Sequence, residues 1–290
     1  MSRYVVAGCG YVGTRLARAL LPRGPVVGVT RSGESAFALD RQGIDAVAWD
    51  LDDASAAAPR ALGAPAVVFY LVPPPREGAI DSRLRHCLAR LSAAPTRFVY
   101  LSSTAVYSGV NSEDVDEDTP VAPLSERGRR RLDAEQTLRS WAERQHVPWT
   151  ILRAPAIYGP GRLPYEALRR GEPMIRHSEA RPASRIHVDD LVAACLLAIS
   201  APQAKNRLYN VTDGTSASMT EYFERVATLA GLPVPSLVSR DEAGRRVSPA
   251  LLSFLTESRR VSAQRIRDEL GFAPRFTDLR LGILSCLPAP

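Results

Sequence analysis

The sequence predicts an α/β fold, a doubly wound parallel sheet with helices on both faces and a small C-terminal lobe. Three observations lead there. Short continuous apolar runs alternate with amphipathic stretches through the first two thirds of the chain, and strands buried on both faces carry such runs. The connections between them are short, as strand–helix–strand crossovers in a parallel sheet allow. Past Ile157 the alternation gives way to a turn, Gly159-Pro160-Gly161, and then to a polar, arginine-rich stretch reaching Arg185.

In chain order, Arg3–Ala7 reads as a strand and Tyr11–Leu21 as the amphipathic helix after it. Val26–Thr30 is the second strand and Val47–Trp49 a short third. The alanine-rich piece Ala54–Ala66 reads as a helix and its loop. Ala66–Val72, rich in valine, is the fourth strand, closed by Pro73-Pro74-Pro75. A helix over Ile80–Leu91 leads to a fifth strand, Arg97–Ser102; a helix over Leu132–Gln145 leads to a sixth, Trp149–Arg153. Later come a helix over Val188–Ile199, a strand over Leu208–Val211 and helices over Met219–Ala230 and Val261–Leu270. We expect residues 1–157, with 184–212 returning to them, to form the main domain, and residues 158–183 and 213–290 to form the lobe.

Composition sets outer limits. With 45% apolar and 23% charged residues, the 290-residue chain has the balance of a soluble globular protein. Its apolar runs are too short to span a bilayer, and the start runs almost at once into a glycine motif, so we expect neither a membrane segment nor a signal peptide. Cys9, Cys87, Cys195 and Cys286 lie far apart, which is neither a disulfide framework nor a metal pattern; a reducing cytoplasm is the expected home. The net charge of +6 is nearly all arginine, since Lys205 is the only lysine. No basic stripe with interleaved aromatics accompanies it, which argues against nucleic acid as a partner.

The densest chemical signal is Gly8-Cys9-Gly10-Tyr11-Val12-Gly13, which comes after a strand and opens a helix. This is the setting of a dinucleotide fingerprint: Gly8 for a tight turn, Gly10 for close approach of a pyrophosphate, Gly13 for helix–strand packing. The plainer alternative is a glycine-rich turn without a ligand. The second strand ends Val29-Thr30-Arg31-Ser32, with no carboxylate to hold a ribose 2′-hydroxyl. Arg31 can pair with a 2′-phosphate while Thr30 and Ser32 donate to it, so NADP is favoured over NAD. Asp50-Leu51-Asp52, after the third strand, offers a carboxylate to an adenine amino group, with a solvated turn as the alternative for Asp52.

These segments and later ones resemble the extended short-chain dehydrogenase/reductase family of NAD-dependent epimerases and dehydratases, built on a Rossmann domain. The resemblance rests on Leu101-Ser102-Ser103-Thr104-Ala105-Val106-Tyr107, on Thr150–Arg162 with its Tyr158-Gly159-Pro160-Gly161, on Arg185–Leu191, on Tyr209-Asn210-Val211, and on Arg260-Val261-Ser262…Leu270-Gly271-Phe272. The blocks stand in family order over nearly the whole chain. The resemblance implies that Leu71, Val72, Ser102, Ala154 and Ile157 border the cofactor, and that Ser103 holds a substrate carbonyl or hydroxyl, with a serine that satisfies its strand end as the equal alternative. It also implies a small-molecule substrate, in this family often a nucleotide sugar. A homodimer is one open assembly state.

The departure from the family is equally specific. The family works with a tyrosine and, four residues later, a lysine; the matching positions here hold Arg127 and Arg131, as in its atypical, YeeZ-like branch. An arginine exchanges no proton near neutral pH, although Arg131 can still hydrogen-bond a ribose. Tyr107 and Tyr158 are other proton donors in the neighbourhood, with packing as their alternative role. His187 is expected to be structural. The arginines Arg162, Arg169, Arg170, Arg176, Arg181 and Arg185 suit phosphate or a solvated loop. Two functions stand as expectations: an NADP-dependent oxidoreductase or epimerase-like protein acting on a carbonyl or hydroxyl group, or a catalytically degenerate NADP-binding or sensing protein.

Overall fold

In the computed structural model the chain is described over residues 3–110, 112, 114–248, 251–252, 255 and 259–288. The strands are β1 (Tyr4–Ala7), β2 (Val26–Thr30), β3 (Ala46–Ala48), β4 (Val67–Tyr70), β5 (Arg97–Ser103), β6 (Asp114–Val115) and β7 (Trp149–Ala154). They continue with β8 (Ala156–Tyr158), β9 (Met174–Ile175), β10 (Arg185–His187), β11 (Arg207–Asn210), β12 (Leu237–Val238) and β13 (Arg260–Val261). Seven of them form one sheet in the order β11-β7-β5-β4-β1-β2-β3, and every neighbouring pair is parallel. From β1 the chain builds outward through β2 and β3, then returns to the other side of β1 with β4. That reversal is the switch point where such sheets open a crevice at their carboxyl ends.

Alternate side chains of each strand feed opposite cores, as a pleated strand requires. Val6 joins Leu16, Leu20, Leu191 and Ile266 on one face; Val5 and Ala7 join Leu84, Leu138 and Tyr100 on the other. Helix α1 (Tyr11–Leu20) buries Val12, Leu16, Ala17 and Leu20, a single stripe at helical spacing. Leu16 and Leu20 are fully buried, each contributing about 1.5–3 kcal/mol of apolar burial. A third core gathers Leu168, Met174, Ile175, Phe223, Val226, Val238 and Ile283. It is built on α5 (Tyr165–Arg169), α7 (Met219–Leu229), α8 (Arg240–Arg246) and the helix Leu279–Leu284.

Several elements differ from expectation. Ala54–Ala66 carries only one 3-10 turn, Arg60–Leu62. Pro59 precedes that turn and Gly63 succeeds it in left-handed conformation (φ +56°), and α3 (Ser82–Arg90) holds the segment from outside, His86 contacting the Ala56 carbonyl at 3.1 Å. Helix α2 (Gly33–Asp40) is an addition, begun by the Ser32 hydroxyl accepting from the Ser35 amide. Helix α4 (Glu126–Gln145) starts six residues before Leu132, because Ser125 caps it by accepting from the Gly128 amide at 3.2 Å. The helix Gln264–Leu270, expected in the lobe, places Ile266 and Leu270 in the sheet core instead. All four cysteines are free and buried. Among the described residues no helix is long and apolar enough to cross a membrane, and no cluster of His, Cys, Asp or Glu is set to hold a metal ion.

Candidate functional site

The turn from β1 into α1 leaves room for backbone alone. Gly8 sits at φ +91°, and a Cβ there would lie 2.7 Å from the Val72 amide nitrogen, so no side chain fits. A Cβ on Gly13 would lie 2.3 Å from the Gly8 carbonyl oxygen. Gly10 differs: a Cβ there would meet nothing within 4 Å. It would project into open space at the amino end of α1, where no side chain caps the helix. An uncapped helix start with its amides facing a cavity suits an anion.

That cavity is a cleft of about 510 Å³ over the carboxyl ends of β1, β2 and β4. Of the residues expected to border a cofactor, Gly8, Gly10, Tyr11, Val12, Gly13, Thr30, Arg31, Asp50, Leu51, Leu71, Val72, Arg131 and Ile157 line it. Three do not. Ser32 is spent on capping α2, Ser102 donates at 2.6 Å to the buried Glu135, and Ala154 belongs to the sheet core.

The lining also includes Ser35, Trp49, Pro73, Arg83, Leu101 and Arg162, which sequence reasoning did not assign to the cofactor. Arg83 is held at 2.6 and 2.5 Å by both oxygens of Asp52, and it donates at 2.9 Å to the Pro73 carbonyl. The Arg83 hydrogen bond holds the Asp52 carboxyl below its usual range. Nothing in local spacing announces a pair 31 residues apart. Two guanidinium groups lie over the Tyr11 ring, Arg15 at 4.2 Å and Arg162 at 4.1 Å from its centre, a pair of cation–π contacts.

Arg131 occupies the inner wall. Its Nη1 donates to the Tyr100 hydroxyl and to the Leu101 carbonyl, both at 3.0 Å. Burial pushes the Tyr100 phenol up to about 12, so Tyr100 stays protonated beside the arginine and exchanges no proton near neutrality.

A second cavity of about 260 Å³ adjoins the first and shares Ile157 and Arg162 with it. It is lined by Ser103, Thr104, Ala105, Ser108, Arg127, Pro155, Ala156, Ala183, Ser184, Met219, Arg259 and Val261 besides the shared pair. The Ser103 hydroxyl oxygen accepts from the Ala105 amide at 3.2 Å, capping a 3-10 turn, which leaves its own proton to donate. Arg127 is half-buried on α4.

Tyr107 lines neither cavity. It is fully buried, donating to Asn210 Oδ1 at 3.0 Å and accepting from Arg153 Nη1 at 2.7 Å, because the 3-10 turn folds the phenol back toward β7 and β11. Arg153 in turn pairs with Glu135 through Nε at 2.9 Å and Nη2 at 2.6 Å. Ser102, Glu135, Arg153, Tyr107 and Asn210 thus form one buried strut under the cavities. Tyr158 is buried against His187 and Tyr222. His187 caps α6 (Val188–Ser200), its Nδ1 accepting from the Asp189 amide at 3.2 Å, and burial lowers its pKa.

Of the six arginines between 162 and 185, only Arg162 reaches these cavities. Arg169, Arg170 and Arg176 pair with Glu166, Glu172 and Glu179, and Arg185 is buried against the Ala217 and Ser218 carbonyls.

Comparison with known proteins adds an independent line. The model of the NAD dependent epimerase/dehydratase family matches residues 4–212. A UDP-glucose 4-epimerase of Corynebacterium glutamicum is 26% identical over 205 residues, which is 63% of this chain and 59% of that relative. The alignment thus spans less than two thirds of the relative's length. Among solved structures, a functionally unknown conserved protein from Silicibacter pomeroyi superimposes with a TM-score of 0.81 at 28% identity, covering 98% of this chain and 97% of the other. A UDP-glucuronic acid 4-epimerase from Bacillus cereus, solved with NAD, gives a TM-score of 0.75 at 19% identity, covering 98% and 95%.

Proposed function

The chain belongs to the NAD dependent epimerase/dehydratase family, and from that premise we propose an oxidoreductase or epimerase-like protein of the extended short-chain dehydrogenase type. In this reading NADP lies in the glycine-lined cleft and the carbonyl or hydroxyl group of a small substrate, a nucleotide sugar among the candidates, reaches the adjoining cavity. The observation that carries it is the wall that the two spaces share. The uncapped helix start at Gly10 opens one, Ser103 borders the other, and Ile157 and Arg162 belong to both.

The 2′-phosphate reading has support from charge and place. Arg31 is exposed on the cleft wall, and its guanidinium can form a two-point pair with a phosphate. Ser35, rather than Ser32, offers the neighbouring hydroxyl. Asp50 remains available near the adenine. Residues 1–157 with 184–212 serve as the cofactor half and also bring Ser103 to the substrate cavity, which Arg162, Ala183 and Met219 border from the remaining stretches.

When bound, the nicotinamide supplies hydride exchange. The chain's own residues do the rest. Main-chain amides in the first turn of α1 hold the diphosphate, the Gly10 amide being already engaged by the Gly8 carbonyl at 2.8 Å. Arg131, fixed by Tyr100 and the Leu101 carbonyl, offers its remaining N–H groups to the ribose. Ser103 donates to the reacting oxygen. Neither Arg127 nor Arg131 surrenders a proton at neutral pH, and Tyr107 is closed off. That pair of facts favours a second reading, an NADP-binding or sensing protein with little turnover.

Fluorescence titration tests the cofactor assignment: NADPH binds about ten-fold or more tightly than NADH, as a gained charge-assisted pair implies, and Arg31→Asp reverses the order. Equal affinity of the unaltered chain for both removes the phosphate argument. A substrate screen following cofactor absorbance separates the two functions. Turnover lost in Ser103→Ala supports the enzyme; absence of turnover with tight NADPH binding supports the sensor.

A further inference from the structure

Two carboxylates, Asp50 and Asp52, are among the described residues that line the first cleft, and Arg31 and Arg83 line it with them. In a dinucleotide cleft a free carboxylate accepts from the ribose 2′-hydroxyl and repels a 2′-phosphate. Asp50 is engaged by its own loop, its Oδ1 accepting from the Asp52 amide at 2.9 Å. Asp52 is not withdrawn by burial, since its side chain is 42% exposed. It also feels Arg31: the Arg83 hydrogen bond, and with it the Arg31 charge, lowers the pKa of its carboxyl. What occupies Asp52 is Arg83, from the second position of α3. Nε and Nη2 of Arg83 take one Asp52 oxygen each, and Nη1 donates to the Pro73 carbonyl. The guanidinium thus meets the carboxylate fork to fork, and the Pro73 carbonyl holds it in that orientation. The start of α3 is fixed in turn by Asp81, whose side chain accepts from the Leu84 amide at 3.0 Å.

We propose that Arg83 is a positioning residue for cofactor choice: by engaging both oxygens of Asp52 it keeps that carboxylate from Arg31 and from the ribose, and so lets the cleft accept a 2′-phosphate. The proposal deepens the cofactor reading and rests on it. Released from Arg83, Asp52 has two courses. It pairs with Arg31 and takes that guanidinium from the phosphate, or it faces the phosphate as a like charge, which is unfavourable in a shared recess. Both courses weaken NADPH, and neither weakens NADH, whose 2′-hydroxyl a carboxylate can accept from. A mere brace between the loops after β3 and β4 behaves differently. Losing a brace weakens both nucleotides alike, and removing Asp52 does the same harm as removing Arg83.

The test is fluorescence titration of the full chain with NADPH and with NADH, in the unaltered protein, Arg83→Gln, Asp52→Asn and the double variant. The preference for NADPH falls about ten-fold in Arg83→Gln and is kept or raised in Asp52→Asn. In the double variant it returns to within about two-fold of Asp52→Asn. The proposal is overturned if Arg83→Gln keeps the unaltered preference, if Asp52→Asn loses as much of it as Arg83→Gln does, or if the double variant recovers nothing. If Arg83→Gln does not fold, Arg83→Lys takes its place. Its single ammonium leaves one Asp52 oxygen unengaged, so the preference falls about three-fold, and Asp52→Asn restores it. Equal affinity of the unaltered chain for both nucleotides, or binding of neither, removes the NADP reading and the role of Arg83 with it. A clear preference in the unaltered chain that Arg83→Gln retains removes the role of Arg83 alone.

Discussion

Replacing Gly10 and Gly13 one at a time separates the ligand-binding task of the first turn from its packing task. At Gly13 the new Cβ falls 2.3 Å from the Gly8 carbonyl oxygen, whereas carbon contacts settle at about 3.5–4 Å. Relief requires the β1–α1 turn to retreat by more than about 1 Å within a close-packed core, so Gly13→Ala costs about 3 kcal/mol, the upper end for overpacking. At Gly10 the same atom meets nothing within 4 Å. Gly10→Val therefore costs only the difference in helix-start preference, about 1 kcal/mol. Its methyl groups stand in the space assigned to the diphosphate. Losing two charge-assisted hydrogen bonds at about 1.5–3 kcal/mol each weakens binding by about 100-fold or more. Urea unfolding reads the first quantity and NADPH fluorescence titration the second. The reasoning is refuted if Gly10→Val binds NADPH as the unaltered chain does, or if Gly13→Ala unfolds at the unaltered urea midpoint.

Three further outcomes concern groups that the fold holds in place. Glu135→Ala strands the Arg153 guanidinium in the core and destabilises the fold by about 3–5 kcal/mol, read as a fall in urea midpoint; the double change Glu135→Leu with Arg153→Met recovers part of it, and no recovery sinks the charge-based account. Burial raises the Asp213 carboxyl to about 6 from 3.8, so the folded chain binds a proton that the unfolded chain releases between those values. Stability falls as pH rises through that window and then levels, at a cost on the order of 3 kcal/mol. Asp213→Asn should therefore gain on the unaltered chain from about pH 4 to pH 6 and hold that margin at about pH 8; a margin independent of pH contradicts the assignment. Asp52→Ala frees Arg83 and loosens the loop at Pro73, expected as faster amide exchange at Tyr70–Val72 with a stability change within about 1 kcal/mol.

The glycine motif was legible because its requirements are local: a strand, a turn without side chains and a helix succeed one another in a short span. Most of the first cleft came with it, since Arg31, Asp50, Leu71 and Val72 all sit at strand ends that one sheet must bring together. What escaped was set by distance or by competing bonds. Arg83 reaches the cleft only because Asp52 and two proline carbonyls hold it there. Helix α2 was hidden because its apolar residues do not face one way, Phe37 being 64% exposed. Ser102 and Tyr107 stood in promising places, yet Glu135 and Arg153 engage both. A pattern can nominate such a hydroxyl, but only packing shows that its hydrogen-bonding capacity is already spent.

The lip at Pro73-Pro74-Pro75 sets how this edge of the crevice meets a visitor. Three successive pyrrolidine rings leave the backbone with no amide hydrogen to offer, and Arg83 already occupies the oxygens of Pro73 and Pro74, at 2.9 and 3.4 Å. A molecule lying along that rim meets pyrrolidine rings and no main-chain donor, and the polar group beside them is the Arg83 guanidinium, so contour weighs more than main-chain hydrogen bonding in its fit there.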